Sequence, residues 1–352
     1  LGIVHQDAAR LDEALAHHEA ALALGQSAGA DPLVMEVLHG NYGNTLYELG
    51  RLHEAYENHE RALELAIGVL GERHPAVAID LMNLARDAEK LGSIAKAREL
   101  YLRSLELREQ LVGPDSRAAG ESLINLAVLE YGQLELEQAR GHGERALAIF
   151  ERKLGPEHPY VAIAHNNLGN IAHERGELDV ALRHFDQMRA IYEAAYGAEH
   201  PKLAIALTNS ANVLVQKGEL DEAIVRFDRA IAIEEKALGP EHPSLAFDLL
   251  GKATALLDKH DAAAAVPLAE RALAIREGRV FDPNELSLTY STLARGLWES
   301  SREGSRERDR ALQLGRRALT SWRASGIDDS ARLAKYETWL RERGGDLSLS
   351  GG

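Results

Sequence analysis

The chain repeats itself every 42 residues, and this period constrains its fold more than any other feature of the 352 residues. Three residue types mark the period at equal steps. Glycine recurs at Gly29, Gly71, Gly113, Gly155, Gly197 and Gly239; asparagine at Asn41, Asn83, Asn125, Asn167 and Asn209; alanine at Ala55, Ala97, Ala139, Ala181, Ala223 and Ala265. A fixed period of about 20–50 residues is typical of a solenoid, in which each repeat packs against its neighbours.

Each repeat contains the pattern of two helices. Apolar residues recur at three- and four-residue spacing in both halves of the repeat, which indicates two amphipathic helices. Four repeats open on a His-Pro pair: His74-Pro75, His158-Pro159, His200-Pro201 and His242-Pro243. The third repeat has Ser116-Arg117 in this place. Proline suits the first turn of a helix, and glycine accepts the left-handed backbone that ends one. The sequence therefore predicts an all-α fold of stacked helix pairs.

The repeat resembles the tetratricopeptide repeat, and in particular the 42-residue kind of kinesin light chains and many bacterial signalling proteins. The resemblance covers about residues 8–325 and is carried by one complete row: Leu154-Gly155-Pro156-Glu157-His158-Pro159, Asn166-Asn167-Leu168-Gly169, Gly176, Ala181 and Ala190-Ile191. It implies a right-handed superhelical solenoid of tetratricopeptide-type helix pairs.

The array is expected to fill residues 1–325 with about seven helix pairs. The first unit is truncated to a short lead and a helix at about 11–26. Residues 326–343 are expected to form a C-terminal capping helix, because a solenoid needs a terminal cap over its exposed end. Residues 344–352 are expected to be a flexible tail.

Composition excludes several classes of protein. The 40 Lys and Arg against 55 Asp and Glu give a formal charge of −15, the wrong sign for a chain that holds a nucleic acid backbone. No run approaches the ~20 apolar residues of a membrane span, which predicts no membrane insertion. The absence of cysteine and of signal-peptide features in residues 1–25 favours a cytoplasmic protein.

No catalytic or metal constellation emerges from the sequence. Gly25-Gln26-Ser27-Ala28-Gly29 has the form of a nucleophile elbow, but that motif needs a strand-to-helix turn, and here we expect a loop between two helices. The His-Pro histidines occur once per repeat, on helices ~8–10 Å apart, too far to share an ion with ~2.1 Å bonds. We therefore predict turn histidines, no cofactor, no metal and no enzymatic activity.

The asparagine series requires an explanation, because asparagine is a poor residue for a helix interior. Other polar residues surround it at spacings of three and four, which places them on the same helix face. The candidate residues of this face are Asn41, Asn44, Asn83, Arg86, Lys90, Asn125, Asn166, Asn167, Asn170, His173, Thr208, Asn209, Asn212 and Gln216.

The resemblance implies that this face lines a concave groove where asparagine amides hold the backbone of an extended peptide. An amide suits that task because it both donates and accepts. Arg86 and Lys90 would pair with an acidic side chain of the ligand. The alternative is that each asparagine bonds a neighbouring helix and only supports the architecture, and the sequence leaves this open.

These observations predict a non-catalytic scaffold that binds an extended peptide segment of a partner protein. The alternative is a regulatory or sensory arm of a larger signalling enzyme, such as a bacterial serine/threonine protein kinase, because similar arrays are often attached to such domains. Self-association through the truncated N-terminal unit is a further hypothesis.

Overall fold

The computed structural model describes residues 2–277, 282–326 and 330–344, and its regular elements in these ranges are all helices. The helices fall into two compact units, Gly2–Ala195 and Tyr196–Gly352.

The N-terminal unit is built from nine helices, the last of which ends one residue beyond the unit boundary. They are α1 (Gly2–Ala28), α2 (Pro32–Glu48), α3 (Leu52–Leu70), α4 (Pro75–Lys90), α5 (Ile94–Val112), α6 (Arg117–Gly132), α7 (Leu136–Leu154), α8 (Pro159–Glu174) and α9 (Leu178–Tyr196).

The C-terminal unit contains seven helices in its described residues. They are α10 (Pro201–Lys217), α11 (Leu220–Leu238), α12 (Leu245–Asp258), α13 (Ala262–Arg276), α14 (Pro283–Ser300), α15 (Arg306–Ala324) and α16 (Ser330–Glu342).

From α2 onward the helices form hairpin pairs, joined by short turns. We name the first helix of each pair the A helix (α2, α4, α6, α8, α10, α12 and α14) and the second the B helix (α3, α5, α7, α9, α11, α13 and α15). Within a unit, B helices pack against the next A helix, as α3 does against α4 and α11 against α12. A helices also contact each other directly: α2 with α4, α6 with α8, α10 with α12, and α12 with α14.

The first helix is longer than the sequence suggests. The pattern predicts a lead followed by a helix at about 11–26, but α1 is continuous over Gly2–Ala28 because no proline interrupts it. This helix packs against α2 and precedes seven complete pairs, so the truncated unit is additional to them.

The histidine of the His-Pro pair begins three of the A helices by capping them. The ring Nδ1 of each histidine accepts a hydrogen bond from the backbone N–H of the residue two positions later. The distances are 3.1 to 3.2 Å for His74, His158 and His200. In the third repeat, the hydroxyl of Ser116 accepts the N–H of Ala119 at 3.2 Å instead. Each side chain satisfies a backbone donor that the helix start leaves without a partner.

The glycine after a B helix adopts a rarer backbone than the left-handed cap we predicted. Gly71 has φ 75° and ψ 167°, and Gly113, Gly155 and Gly239 lie close to these values. This region of backbone space is essentially restricted to glycine. The sequence correctly placed a glycine-dependent turn here, but the left-handed conformation itself occurs at the hairpin glycine Gly218, with ψ 9°.

The alanine series forms the centre of the hairpin packing. All six alanines, one in each B helix from α3 to α13, are at most 1% exposed: Ala55, Ala97, Ala139, Ala181, Ala223 and Ala265. A methyl group at this position leaves room for the facing helix, while larger apolar side chains fill the space around it. Neighbouring pairs therefore bury one another's apolar faces along each unit.

Candidate peptide-binding surface

All fourteen predicted site residues lie on A helices. The N-terminal unit carries Asn41 and Asn44 on α2, Asn83, Arg86 and Lys90 on α4, Asn125 on α6, and Asn166, Asn167, Asn170 and His173 on α8. The C-terminal unit carries Thr208, Asn209, Asn212 and Gln216 on α10. Along each helix the asparagine series and the residues three or four positions later share a face.

Two residues of the asparagine face connect neighbouring A helices in the N-terminal unit. Arg86 donates from Nη2 to Oδ1 of Asn44 at 2.8 Å, and its guanidinium lies 4.1 Å from the ring centre of Tyr47. Asn125 donates from Nδ2 to the sulfur of Met82 at 3.0 Å. For Asn44 and Asn125 the architectural alternative therefore has direct support, because the fold uses both amides.

Asn167 differs from these two residues. Its Nδ2 is shielded from solvent and has no hydrogen-bond partner among the described residues. A buried polar group without a partner costs free energy and needs an explanation.

The residues around Asn167 are half-buried and polar. Asn166 and Asn170 flank it on α8, and His173 lies in the last turn with its Nε2 shielded and without a hydrogen-bond partner in the described part of the chain. On α2 and α4, the side chains of Asn41 and Asn83 make no hydrogen bond to the described residues, and Lys90 is exposed. The side chains of Asn41 and Asn83 are therefore not engaged by the described part of the fold.

In the C-terminal unit, Thr208 is part of a buried network rather than an open binding group. Its hydroxyl contacts the carbonyl of Ala204 at 2.9 Å and the carboxyl of Asp248 on α12. Asp248 in turn shares a hydrogen bond with Glu234, which accepts the Ser244 hydroxyl at 2.6 Å. Burial, with the neighbouring charge of Glu234, raises the pKa of Asp248 to about 8.

The remaining predicted residues of α10 point outward. Asn209 is half-buried, while Asn212 and Gln216 are exposed one and two turns further along the helix. The fold therefore already engages the hydroxyl of Thr208, and a peptide-binding role for Thr208, Asn209, Asn212 and Gln216 remains a prediction.

A histidine pair beside the asparagine face was missed by the sequence analysis. His165 on α8 and His184 on α9 place their Nδ1 atoms 3.0 Å apart. Burial, and then the charge of His184, lowers the pKa of His165 to about 4. The repeat alignment contained the signal, because Leu81 and Leu123 occupy the equivalent buried position in earlier repeats.

We expect the nucleophile-like motif to lie in a loop, but the structure places it in the last turns of α1. The hydroxyl of Ser27 donates to the carbonyl of Leu24 at 3.0 Å, an ordinary helix-end contact. Across the described ranges, no three histidine or carboxylate side chains converge in a group suited to a metal ion. Within those same ranges no helix has both the length and the apolar character to cross a membrane.

The hairpin repeat and the polar face of its A helices define a helical-repeat protein. A family model described as tetratricopeptide repeat matches residues 33–110, 81–152, 119–194, 160–233 and 202–278. The chain therefore belongs to the tetratricopeptide repeat family, whose repeats generally mediate protein–protein interaction on a non-catalytic scaffold. No curated protein matches the chain.

Solved structures agree with this fold. The chain is similar to BtubC (BKLC) from P. vanneervenii, with a TM-score of 0.57 and 22% identity over 65% of this chain and 92% of that one. It is also similar to the nearly identical TPR-like repeats assigned to a kinesin light chain of Podosopora anserina, with a TM-score of 0.51 and 21% identity over 59% and 98% of the two chains.

A third similar structure is a tetratricopeptide repeat protein from Parabacteroides merdae, with a TM-score of 0.55 and 16% identity over 86% and 99% of the two chains. At these identities the likeness concerns the fold. The predicted fold class of all-α tetratricopeptide-type helix pairs and the kinesin light chain-like resemblance are both confirmed.

Proposed function

We propose that this chain is a non-catalytic scaffold that holds an extended peptide segment of a partner protein against the asparagine face of its A helices. The observation that carries the proposal is the half-buried side chain of Asn167, whose Nδ2 has no hydrogen-bond partner in the described residues. Binding sites are where proteins retain polar groups that the fold itself does not satisfy.

The chemistry of the face suits a peptide backbone. An asparagine amide has one carbonyl acceptor and two N–H donors, which match the alternating donors and acceptors of an extended chain. The amides stand on packed helices, so the conformational entropy lost on binding falls mainly on the peptide. A surface of this kind binds backbone without selecting a sequence, and selection comes from the neighbouring side chains.

A selection experiment tests this proposal. A random twelve-residue peptide library is panned on the full chain and counter-screened on Asn167→Ala. Asn58→Ala serves as the matched control, because Asn58 lies on the B helix α3 and bonds His39 at 2.8 Å. We expect peptides that bind the parent and the control but lose about 1–3 kcal/mol of affinity on Asn167→Ala.

Two results would count against the proposal. Selection of the same peptides by the parent and by Asn167→Ala would place binding elsewhere on the molecule. A library that yields no binder at all would also contradict it, because a surface that reads backbone groups should capture some members of a random set.

A further inference from the structure

Asp80 on α4 is a buried carboxyl group that the described part of the fold does not engage. The residue is 3% exposed, and its side chain forms no hydrogen bond or ion pair with the described residues. The equivalent positions of the next three repeats hold small, fully buried residues: Ser122, Ala164 and Ala206. Packing at this position therefore needs a small side chain rather than a carboxyl group. Because an unpaired buried charge is costly, its presence requires an explanation.

Asp248 occupies the same position four repeats after Asp80, and there the fold does engage the carboxyl group. Asp248 accepts a hydrogen bond from the hydroxyl of Thr208, which lies forty positions earlier on the preceding A helix. The residue forty positions before Asp80 is Gly40, which has no side chain. Since α2 and α4 are in contact, as α10 and α12 are, the repeat places a gap beside Asp80 where Asp248 meets a hydroxyl.

Gly40 keeps this gap open without any benefit to its own helix. A methyl group added to Gly40 would meet no neighbouring atom within 4 Å, so packing among the described residues does not require glycine. Its φ is not positive, and glycine is a poor residue for a helix interior. The equivalent residues all carry larger side chains: Met82, Ile124, Asn166 and Thr208. Gly40 and Asp80 are thus two departures from the repeat that meet at one place, and a single occupant explains both.

A second carboxylate lies on the same side of α2. Glu36 precedes Gly40 by one helical turn, is half-buried, and forms no hydrogen bond or ion pair within the described ranges. The equivalent residues of the next three repeats are small: Ala78, Gly120 and Ala162. Burial, and then the charge of Glu36, raises the pKa of Asp80 to about 7. Burial also raises the pKa of Glu36, and the charge of His74 opposes this effect. The gap is therefore acidic on both helices.

Two carboxyl groups beside a narrow gap match the chemistry of a protonated amine. An ammonium group has three donors and no acceptor, and lysine carries it at the end of a slender four-carbon stem. The fold has already removed Asp80 from water, so the cost of desolvation on binding falls mainly on the amine. Calcium and magnesium ions need about six oxygen ligands, and no third carboxylate or histidine joins this pair in the described part of the chain. The net charge of −15 also favours a basic partner.

We propose that the gap between α2 and α4 is a pocket for one lysine side chain of the bound peptide. The ammonium group lies between Asp80 and Glu36, in the space that Gly40 leaves open. Asn41 follows Gly40 directly and Asn83 lies one turn after Asp80, so their amides are placed to hold the peptide backbone beside the lysine. This inference rests on the proposed function and names the side chain that the surface selects.

Peptide variants provide the first test. The twelve-residue peptides selected on the full chain should share a lysine. Replacing that lysine by norleucine keeps the apolar stem and removes the charge, and should weaken binding to the parent by about ten- to hundredfold in calorimetry. On Asp80→Ala the lysine and norleucine peptides should bind within about twofold of each other, because the partner of the charge is gone.

Protein variants assign the pocket. Asp80→Ala copies Ala164 of a later repeat, and Gly40→Thr copies Thr208 and fills the gap. Each should weaken binding of the lysine peptide by about tenfold or more while melting at or above the parent temperature, because one removes a buried charge and the other replaces a helical glycine. Ser122→Ala is the matched control. Ser122 has the same repeat position on α6 and a buried hydroxyl without a partner in the described residues, so the lysine peptide should bind this variant as it binds the parent.

The outcomes separate this inference from the proposed function. Selected peptides without a common lysine overturn the inference, and so does a lysine peptide that binds Gly40→Thr or Asp80→Ala as tightly as the parent. The proposed function survives either result if the selected peptides still depend on Asn167, and fails with it if they do not. If calcium or magnesium chloride raises the melting temperature of the parent and not of Asp80→Ala, the pocket holds a metal ion and the inference is wrong.

Discussion

His59 and Asp87 form a buried pair, with 2.5 Å between Nδ1 of the ring and Oδ2 of the carboxylate and no solvent exposure of either side chain. The pair stands where other repeats pack apolar groups, since Phe185 occupies the position of His59 three repeats later. The surroundings are the same in both places. A methyl group added to Gly43 would lie 2.7 Å from the His59 ring, and one added to Gly169 would lie 2.6 Å from Phe185.

Breaking this pair should destabilise the chain more than replacing it. His59→Ala leaves the Asp87 carboxylate buried without its partner, which is expected to cost about 3–5 kcal/mol. The double variant His59→Phe with Asp87→Leu, which copies Phe185 and Leu129 of later repeats, should fold within about 1 kcal/mol of the parent or more stably. Urea unfolding followed by circular dichroism measures both. A double variant as unstable as the single one would mean that the polar pair contributes more than apolar packing there.

Two hairpin turns carry a residue other than glycine in a glycine conformation. Leu134 has φ 59° and His260 has φ 62°, whereas Gly92 and Gly176 occupy the same turn position in other repeats with φ near 75°. Left-handed backbone costs a residue with a Cβ about 1–2 kcal/mol. The Leu134 side chain is 68% exposed, so little packing offsets this cost.

Leu134→Gly should therefore raise the free energy of unfolding by about 0.5–1 kcal/mol, after the greater flexibility of glycine in the unfolded chain is subtracted. The reverse change at an equivalent turn, Gly176→Leu, should lower it by about 1–2 kcal/mol. Thermal melts show whether Leu134→Gly is more stable, and Gly176→Leu less stable, than the parent. A loss of stability in Leu134→Gly would show that the leucine makes contacts that outweigh its backbone cost.

The histidine pair should make the N-terminal unit sensitive to acid. Because burial and His184 lower the pKa of His165 to about 4, the unfolded chain binds protons more readily than the folded one below pH 6.5. The stability that the neutral ring contributes is complete above about pH 6.5 and is lost as the pH falls toward 4. Between pH 7.5 and pH 5 the expected loss is on the order of 2 kcal/mol.

His165→Leu, which restores the residue of neighbouring repeats, should remove most of this acid sensitivity. His53→Gln is a matched control because His53 is exposed. Urea midpoints at the two pH values measure the effect. An unchanged acid response in His165→Leu would mean that other groups are responsible.

The carboxyl network of the C-terminal unit should respond to pH in the opposite direction. The pKa of Asp248 is raised to about 8, so the folded state binds a proton that the unfolded state has released. Stability associated with Asp248 is therefore complete in acid, declines as the pH rises from about 4, and is lost near pH 8. The advantage of Asp248→Asn over the parent should grow across this interval, as judged by unfolding at several pH values. A constant difference would indicate that Asp248 is ionised throughout.

The period of 42 residues was enough to predict the helix pairs, the residues that begin and end them, and the alanine series. These features repeat because the backbone geometry repeats. Single departures from the repeat were harder to interpret. Glu130 occupies the position that Ala88 and Ala172 hold in the neighbouring repeats, but only the structure shows that it is buried and bonded to His142 at 2.7 Å and to Arg98. Partners of this kind lie on other helices and leave no signal in local spacing.

The same distinction applies to the candidate surface. The sequence places the asparagines on one helix face, because spacing determines the face. It does not reveal which amides the fold uses, since the bond from Asn125 to Met82 and the bond from Arg86 to Asn44 each depend on the exact approach of two A helices. Asn167 has the same spacing as Asn125, and only the three-dimensional contacts distinguish them.

The most direct test compares Asn167→Ala with Asn125→Ala in both stability and binding. We propose that the side chain of Asn167 serves a peptide rather than the fold. We predict that Asn167→Ala melts at or above the parent temperature, because it removes a donor without a partner, and that calorimetry shows at least about tenfold weaker binding of a library-selected peptide. Asn125→Ala, which loses the bond to Met82, should melt lower. A lower melting temperature for Asn167→Ala together with unchanged peptide affinity would contradict the claim and make the asparagine series part of the architecture.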